Sequence, residues 1–177
     1  MSGIIGISPN MKSGVVGIPR LGAIGDSASI YLTTALNNQT TGTYLTGFTA
    51  AYNRNTTIFE TQANGIKVLV SGTYLINWTI FSYSTNADGY SQEYLTTGGD
   101  TKITETYVLY VRSEDGDVQR YSKFGNAHIL PIAANTVVGM FVYVGYTGTD
   151  AYTVAADTAG TRLAMTYQSE HPATGGY

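Results

Sequence analysis

Few residues in this chain could carry out chemistry. The two histidines, His128 and His171, are the candidate general bases, and no cysteine is present to act as a nucleophile or metal ligand. His128 stands in a strand-like run with its side chain opposite to Ile129, so it could be a solvent-facing residue or a general base, although a lone histidine of this kind is most often structural. His171 lies beside Pro172, in a segment where nothing would hold it in catalytic geometry. No G-x-S-x-G motif marks a nucleophile elbow, so a Ser-His-Asp triad has no support from the sequence.

Carboxylates offer two further possibilities. The acidic run at 114–117 could supply oxygen ligands to calcium, or it could be a hairpin tip whose carboxylates keep it soluble. A glycosidase would need a carboxylate pair such as Glu60 with Glu93 or Glu105, but no spacing along the chain favours one. A P-loop or a G-x-G-x-x-G motif after a strand is also lacking. We therefore expect no enzyme, no metal and no cofactor.

Aromatic side chains are the remaining candidates for binding. The chain has 15 tyrosines, and tyrosine provides a large contact area at a low entropy cost. Six of them could form platforms that bind carbohydrate or protein: Tyr83, Tyr90, Tyr94, Tyr107, Tyr110 and Tyr121. Alternatively they are packing residues, because tyrosine is also common in strands.

Composition limits the class of protein. A length of 177 residues is typical of one domain, and a 12% share of charged residues with 43% hydrophobic residues excludes a disordered tail. The nine lysines and arginines are scattered singly in a chain of net charge -3, which argues against nucleic-acid binding. No run of 18 apolar residues occurs, and the first residues lack the pattern of a signal peptide, so we expect no membrane span and no such leader.

Alternation of apolar and polar residues predicts strands throughout the chain. Tyr74, Ile76, Trp78 and Ile80 share one face of the clearest strand, and Asn77 lies on the other. The pattern further predicts strands at 29–36, 43–49, 56–60, 66–70, 103–111, 118–124, 127–132 and 162–167. Turn signals such as Asn64-Gly65 and Gly125-Asn126 separate them, at a spacing typical of a sandwich or barrel.

The segment at 137–144 is apolar at odd and even positions alike, and therefore on both faces of a strand. In an antiparallel sandwich this pattern predicts a strand covered on both sides, and a second subunit could supply the outer cover. The predicted subunit-interface residues are Met140, Phe141, Val142, Tyr143 and Val144.

The first 25 residues form a different kind of segment. Ser2–Pro9 recurs eleven residues later as Ser13–Pro19, and its glycines and prolines disfavour a helix. The repeat carries Ile4, Ile5, Ile7, Val15, Val16 and Ile18, whose large apolar side chains would be unfavourable in water. We expect this arm, residues 1–25, to bind a partner, for instance as an added strand; alternatively, it folds back on its own domain as an edge strand. The compact domain would then be 26–177.

Two stretches carry a resemblance to a known family. The segment from Tyr52-Asn53 to Phe59, followed by 65–78 with its Gly72-Thr73-Tyr74 motif, resembles the jelly roll of complement globular heads and tumour necrosis factor (TNF). A second stretch, 129–141, is similar to that family's small-residue turn before a Val-rich strand. The segment 161–168 falls where the family has its last strand.

This resemblance implies an all-β fold, an antiparallel jelly-roll sandwich with an extended N-terminal arm, that assembles as a homotrimer. The Gly-rich repeated opening is also similar to short structural proteins of tailed bacteriophages, where jelly-roll trimers decorate capsids or form fibre heads. We expect a virion structural protein on the capsid surface, a decoration or cement protein whose arm binds the major capsid protein or another virion protein. The alternative is a fibre head that recognises host-surface glycan through loops at 84–101 and 145–160.

Overall fold

The structure, a computed structural model, describes residues 26–39, 42–84, 89–98, 101–112, 120–146, 152–156 and 160–170. The arm at 1–25 with its six predicted partner-binding residues lies outside the described residues, as do the acidic run at 114–117 and His171. Within the described ranges the chain forms β-strands and one 3-10 turn, Thr104–Thr106.

Fourteen strands occur in these ranges, numbered in chain order. They are β1 (Ser27–Leu32), β2 (Leu36–Gln39), β3 (Thr43–Tyr44), β4 (Phe48–Asn53), β5 (Phe59–Gln62), β6 (Gly65–Val68), β7 (Gly72–Ser84), β8 (Gly89–Thr97), β9 (Thr101–Lys102), β10 (Val108–Arg112), β11 (Arg120–Ile132), β12 (Val137–Tyr146), β13 (Tyr152–Val154) and β14 (Arg162–Glu170).

The strands form two antiparallel sheets. In the first sheet the order is β2-β13-β7-β14-β1-β4, and β11 also pairs with β7. In the second the order is β10-β8-β12-β6-β5, with β3 paired to β12 and β9 to β8. Neighbours in each sheet are mostly distant in sequence, as in a jelly roll, so the predicted fold class is confirmed.

The core lies between the sheets, and β7 confirms the predicted alternation. Its buried inward side chains are Tyr74, Ile76, Trp78 and Ile80, whereas Asn77 is exposed on the other face. The second sheet contributes Leu95, Met140, Val142 and Val144 to the same buried cluster. The ring of Tyr74 lies edge-on to Phe59 and Tyr167, at 5.8 Å and 5.4 Å between centroids. Each such buried side chain stabilises the fold by roughly 1.5 to 3 kcal/mol.

The predicted strand at 103–111 is wrong in its first half. Residues 104–106 form the 3-10 turn, and the strand begins only at Val108. Thr106 is fully buried, and its hydroxyl donates to the carbonyl of Ile103 over 2.7 Å and accepts from the Leu95 amide over 2.8 Å. This turn shifts the alternation, because Ile103 is buried whereas Tyr107, expected on the same face, is 40% exposed.

The two strands predicted at 118–124 and 127–132 are a single strand, β11, that pairs with β7 from Arg120–Ser84 to Ile132–Gly72. Gly125-Asn126 is therefore not a turn. A Cβ at Gly125 would lie 2.9 Å from the Thr79 hydroxyl and 3.0 Å from the Trp78 carbonyl. The glycine reflects the close approach of a neighbouring strand rather than a chain reversal.

The segment 84–101 was expected to be a loop, but most of it is β8, a strand inside the second sheet. The inward side of β8 carries Ser91, Glu93, Leu95 and Thr97, all buried. Because three of these four are polar, the strand lacks the apolar period of two on which the expectation relied.

β8 carries a carboxyl group into the core. Glu93 is 1% exposed and lies between Val142 of β12 and Val108 of β10 in the sheet. The Tyr152 hydroxyl donates to its Oε1 over 3.3 Å, and Oε2 has no hydrogen-bond partner within the described residues. Burial raises the pKa of Glu93 from 4.5 to about 8, and the hydrogen bond from Tyr152 opposes this with a smaller effect. The buried carboxyl is therefore mostly protonated at neutral pH.

Stability should fall with rising pH because of Glu93. Native Glu93 binds its proton more tightly than the unfolded chain does, so its contribution is complete below about pH 4.5 and is lost as the pH rises to about 8. Each unit of pKa shift corresponds to about 1.4 kcal/mol. Urea unfolding across this pH range should show the decline in wild type, a much flatter profile in Glu93→Gln, and an unchanged decline in the exposed control Glu60→Gln. A Glu93→Gln profile as steep as wild type would contradict this assignment.

A methyl group at Gly65 should disrupt the start of β6. An alanine Cβ there would overlap the carbonyl oxygen of Val138 on β12, so the strands would have to separate. We expect Gly65→Ala to lower the free energy of unfolding by about 3 kcal/mol. Gly98 is the matched control, since it has a φ of +64° but nothing within 4 Å of its Cβ position; Gly98→Ala should cost about 1 kcal/mol for the backbone conformation alone. Equal losses in thermal and urea unfolding would refute the packing explanation.

Candidate functional site

The outward side of the second sheet carries a cluster of aromatic side chains around one lysine. Alternation along β8 and β12, which sends Leu95 and Met140 into the core, turns their neighbours Tyr94 and Phe141 outward as a cross-strand pair. Lys102 of β9 lies on this outward side too, with its ammonium group over the rings of Tyr94 and Phe141. We call this cluster the tyrosine surface; its members are Tyr44, Tyr90, Tyr94, Tyr107, Phe141, Tyr143 and Lys102.

The rings of the tyrosine surface contact one another. Phe141 lies 4.7 Å from Tyr44 and 6.4 Å from Tyr94 between centroids. Tyr94 in turn lies 5.2 Å from Tyr107, and Tyr90 lies 6.1 Å from Tyr143. These distances are those of favourable aromatic pairs, so the rings hold each other in position.

Gly145 leaves room for the ring of Tyr90. A Cβ at Gly145 would lie 2.5 Å from Cζ of Tyr90, the residue directly opposite it in the neighbouring strand. With hydrogen at this position, the Tyr90 ring can lie flat across β12 beside Tyr143. The glycine therefore contributes to the surface by its lack of a side chain.

Lys102 places a positive charge over these rings. Its ammonium nitrogen lies 4.3 Å from the Phe141 centroid, 5.0 Å from that of Tyr94 and 6.0 Å from that of Tyr143. Cation–π attraction at these distances is worth about 0.5 to 1 kcal/mol for an exposed lysine. Among the described residues no carboxylate forms an ion pair with Lys102, whereas Lys67, on the same side of this sheet, pairs with Glu60 at 3.8 Å.

Exposure differs across the surface. Phe141 is only 6% exposed, because Tyr44, Tyr94 and Lys102 lie over or beside it. Tyr107 and Tyr143 remain 40% and 37% exposed. The surface thus has an ordered aromatic base with accessible rings and an accessible ammonium group around it.

The predicted interface residues of β12 divide between the two faces of the strand. Met140, Val142 and Val144 belong to the core of the chain itself, so their apolar character needs no second subunit. Phe141 receives most of its outer cover from the same chain. Tyr143 is the member of the predicted set with substantial accessible area. The subunit interface on β12 stays a prediction.

The predicted tyrosine platform is brought together in part. Tyr90, Tyr94 and Tyr107 belong to the tyrosine surface, whereas Tyr83 and Tyr121 lie on the first sheet, where they pair across β7 and β11. Tyr110 lies in β10, opposite Ser91. The sequence interpretation did not include Tyr44 or Lys102, and it assigned Phe141 and Tyr143 to another role. The alternation Tyr90, Gln92, Tyr94 is the signal that could have identified β8 as a strand with an aromatic outer side.

Of the two carboxylate pairs proposed for a glycosidase, the structure excludes Glu60 with Glu93. Glu93 points into the core, and Glu60 is exposed on the outer side of the sheet beside Lys67. Glu105 is exposed on the 3-10 turn and accepts a 3.4 Å hydrogen bond from the Thr104 hydroxyl. Buried Glu93 and exposed Glu60 cannot flank one sugar bond.

His128 lies on the inner side of β11 at the edge of the first sheet, opposite to Ile129, which is 67% exposed. The two side chains do point to opposite faces, but Ile129 is the solvent-facing one, so the interpretation of His128 as a solvent-facing residue is wrong. Its Nε2 is buried without a hydrogen-bond partner in the described residues. Burial lowers the pKa of His128, and the nearby charge of Glu105 opposes the shift with a smaller effect. A neutral, half-buried imidazole of this kind fits a packing role.

Metal-binding clusters and membrane-spanning helices are both lacking among the described residues. No group of three or more histidine, aspartate or glutamate side chains is arranged to hold a metal ion there. A helix long and apolar enough for a bilayer crossing does not occur in that part of the chain.

Comparison with known proteins places the fold. No family model and no curated protein matches the sequence. Among solved structures, the chain is similar to Eiger TNF from S. frugiperda, with a TM-score of 0.60 and 11% identity over 87% of this chain and 99% of that one. It is also similar to murine APRIL at pH 5.0, with a TM-score of 0.60 and 10% identity over 81% of this chain and 98% of that one. These likenesses show that the chain has the jelly-roll fold of TNF-type proteins.

Proposed function

We propose that this chain is a non-enzymatic structural protein of a virion, a homotrimeric decoration protein of a bacteriophage capsid. The jelly roll forms the head, and the arm at residues 1–25 attaches it to the major capsid protein or another virion protein. The observation that carries the proposal is the TNF-type fold of the head, because the family resemblance associates this fold with trimers. The repeated apolar arm ahead of it supports attachment.

The side chains that could catalyse a reaction support a non-enzymatic role. Glu93 lies in the core, on the inner side of the second sheet, whereas Glu60 pairs with Lys67 on the outer side of that sheet. His128 is half-buried on β11, at the edge of the first sheet. Glu93 and Glu60 lie on opposite sides of the second sheet, so this pair offers no general acid and general base at a common substrate position.

The arm supports attachment through its composition. Its repeat carries six large aliphatic side chains, and the charged residues of the arm are Lys12 and Arg20. Buried against a partner, each aliphatic side chain would contribute roughly 1.5 to 3 kcal/mol. An extended segment with such side chains is suited to adding a strand to a sheet of another protein.

Light scattering should give three times the chain mass of 18.9 kDa for the full-length protein. A matched variant replaces Ile4, Ile5 and Ile7 by serine without changing the length. We expect this variant to keep the trimeric mass and to lose co-sedimentation with virions, since the arm serves attachment rather than trimer formation. A control replaces Ser2, Ser8 and Ser13 by alanine and should retain both properties.

Two results would contradict the proposal. A monomeric mass for the full-length chain would refute the homotrimer. Unchanged co-sedimentation of the serine variant would refute attachment through the arm. A trimer that dissociates only in the serine variant would reassign the arm to contact between subunits.

A second candidate function is a fibre head that recognises glycan on a host surface. The tyrosine surface favours it, because accessible rings and an ammonium group without an ion-pair partner in the described ranges suit ligand binding better than they suit solubility alone. The loops at 84–101 and 145–160 were expected to carry specificity. Since 89–97 is the strand β8, that role moves to the outer side of the sheet.

A further inference from the structure

The tyrosine surface has a feature that packing within the chain does not explain. Lys102 is exposed, lies over three aromatic rings and has no carboxylate partner among the described residues. Lys67, on the same side of this sheet, does have one in Glu60. An exposed ammonium group held over rings has three N–H donors and a positive charge, and is therefore complementary to a ligand carboxylate.

The rings around the lysine limit the kind of ligand. Tyrosine combines an apolar ring face with a hydroxyl at its edge. Tyr94 and Tyr107 present this combination with their centroids 5.2 Å apart, and the exposed ring of Tyr143 adds it 6.0 Å from the Lys102 ammonium. A pyranose has the matching arrangement, with C–H groups on its face and hydroxyls around its edge. Gln92, whose Oε1 accepts from the Tyr94 hydroxyl over 3.1 Å, adds an amide to the same side of β8. Alternating apolar and polar groups of this kind favour a sugar over an aliphatic protein surface.

We propose that the tyrosine surface binds oligosaccharides that carry a carboxylate, such as a sialic or uronic acid. The ammonium of Lys102 pairs with the carboxylate, and the rings of Tyr107 and Tyr143 stack on the sugar. This inference supplies a surface and a ligand class for the second candidate function, and it requires neither the arm nor a virion.

Calorimetric titration of the full-length protein tests the ligand class with matched pairs of sugars. Sialyllactose is compared with lactose, and a hyaluronan octasaccharide with its carboxyl-reduced form. We expect each acidic sugar to bind at least about tenfold more tightly than its neutral counterpart, because a charge-assisted hydrogen bond is lost in the latter. The acidic sugar that binds more tightly identifies the source, a terminal sialic acid or an internal uronate.

Variants test the residues. Lys102→Gln should weaken binding of the acidic sugar about tenfold and leave the neutral sugar unchanged. Lys67→Gln, the matched control, should change neither by more than about twofold, because its ammonium already pairs with Glu60. Tyr143→Leu should weaken acidic and neutral sugars alike, since stacking does not depend on the carboxylate. Lys102 is exposed on a two-residue strand, so its variant is expected to fold normally.

Several outcomes would overturn the inference. Equal binding of acidic and neutral sugars, no binding of any of the four, or an effect of Lys67→Gln as large as that of Lys102→Gln would refute it. If a glutamate-rich peptide bound more tightly than any of the four sugars, and this binding depended on Lys102, the ligand would be an acidic protein and not a sugar. A fall in the solution mass of Tyr143→Leu would make the surface a contact between subunits. Because the trimer is measured by mass and the ligand by heat, the two proposals can fail separately.

Discussion

The register between β8 and β12 is the constraint on which most of this molecule depends. Side chains that face each other across an antiparallel pair point to the same side, and successive residues point to opposite sides. Pairing Leu95 with Met140 therefore also pairs Tyr94 with Phe141. The first pair lies in the core and the second on the outer surface, so one set of backbone hydrogen bonds positions both. A slip of one residue would place Met140 on the same side of the sheet as Tyr94, so that either Met140 would be exposed or Tyr94 would be buried.

The same register explains the buried carboxyl group. Glu93 precedes Tyr94, so a strand that presents Tyr94 outward must send Glu93 inward, between Val108 and Val142. The core accommodates it as a protonated acid that accepts a hydrogen bond from Tyr152. A buried acid with one oxygen that lacks a partner within the described part of the chain destabilises the fold relative to an apolar residue of the same shape. The outer aromatic surface and this polar element of the core are thus two consequences of one strand.

Lys102 shows how two features that are separate in sequence form one surface. The two-residue strand β9 pairs with the end of β8, which brings the ammonium over Phe141 from β12. Tyr44 reaches the same ring from β3, on another part of β12. A jelly roll brings such distant segments together because its neighbouring strands are seldom consecutive.

Sequence alone determined the all-β class, the alternation of β7 and the apolar inner row of β12, because each depends on a period of two that is local to one strand. The resemblance supplied the jelly roll. The sequence pattern predicted a loop where β8 lies, because the inner side of this strand is mostly polar. It predicted a strand at 104–106, where the hydroxyl of Thr106 instead accepts a hydrogen bond from the Leu95 amide and holds a 3-10 turn. The pattern also predicted a turn at Gly125 of β11, whereas this glycine allows the close approach of β7. Which strands are neighbours, and therefore which tyrosines meet Lys102, was decided only by the tertiary structure, since pairing between distant segments has no signature within either segment.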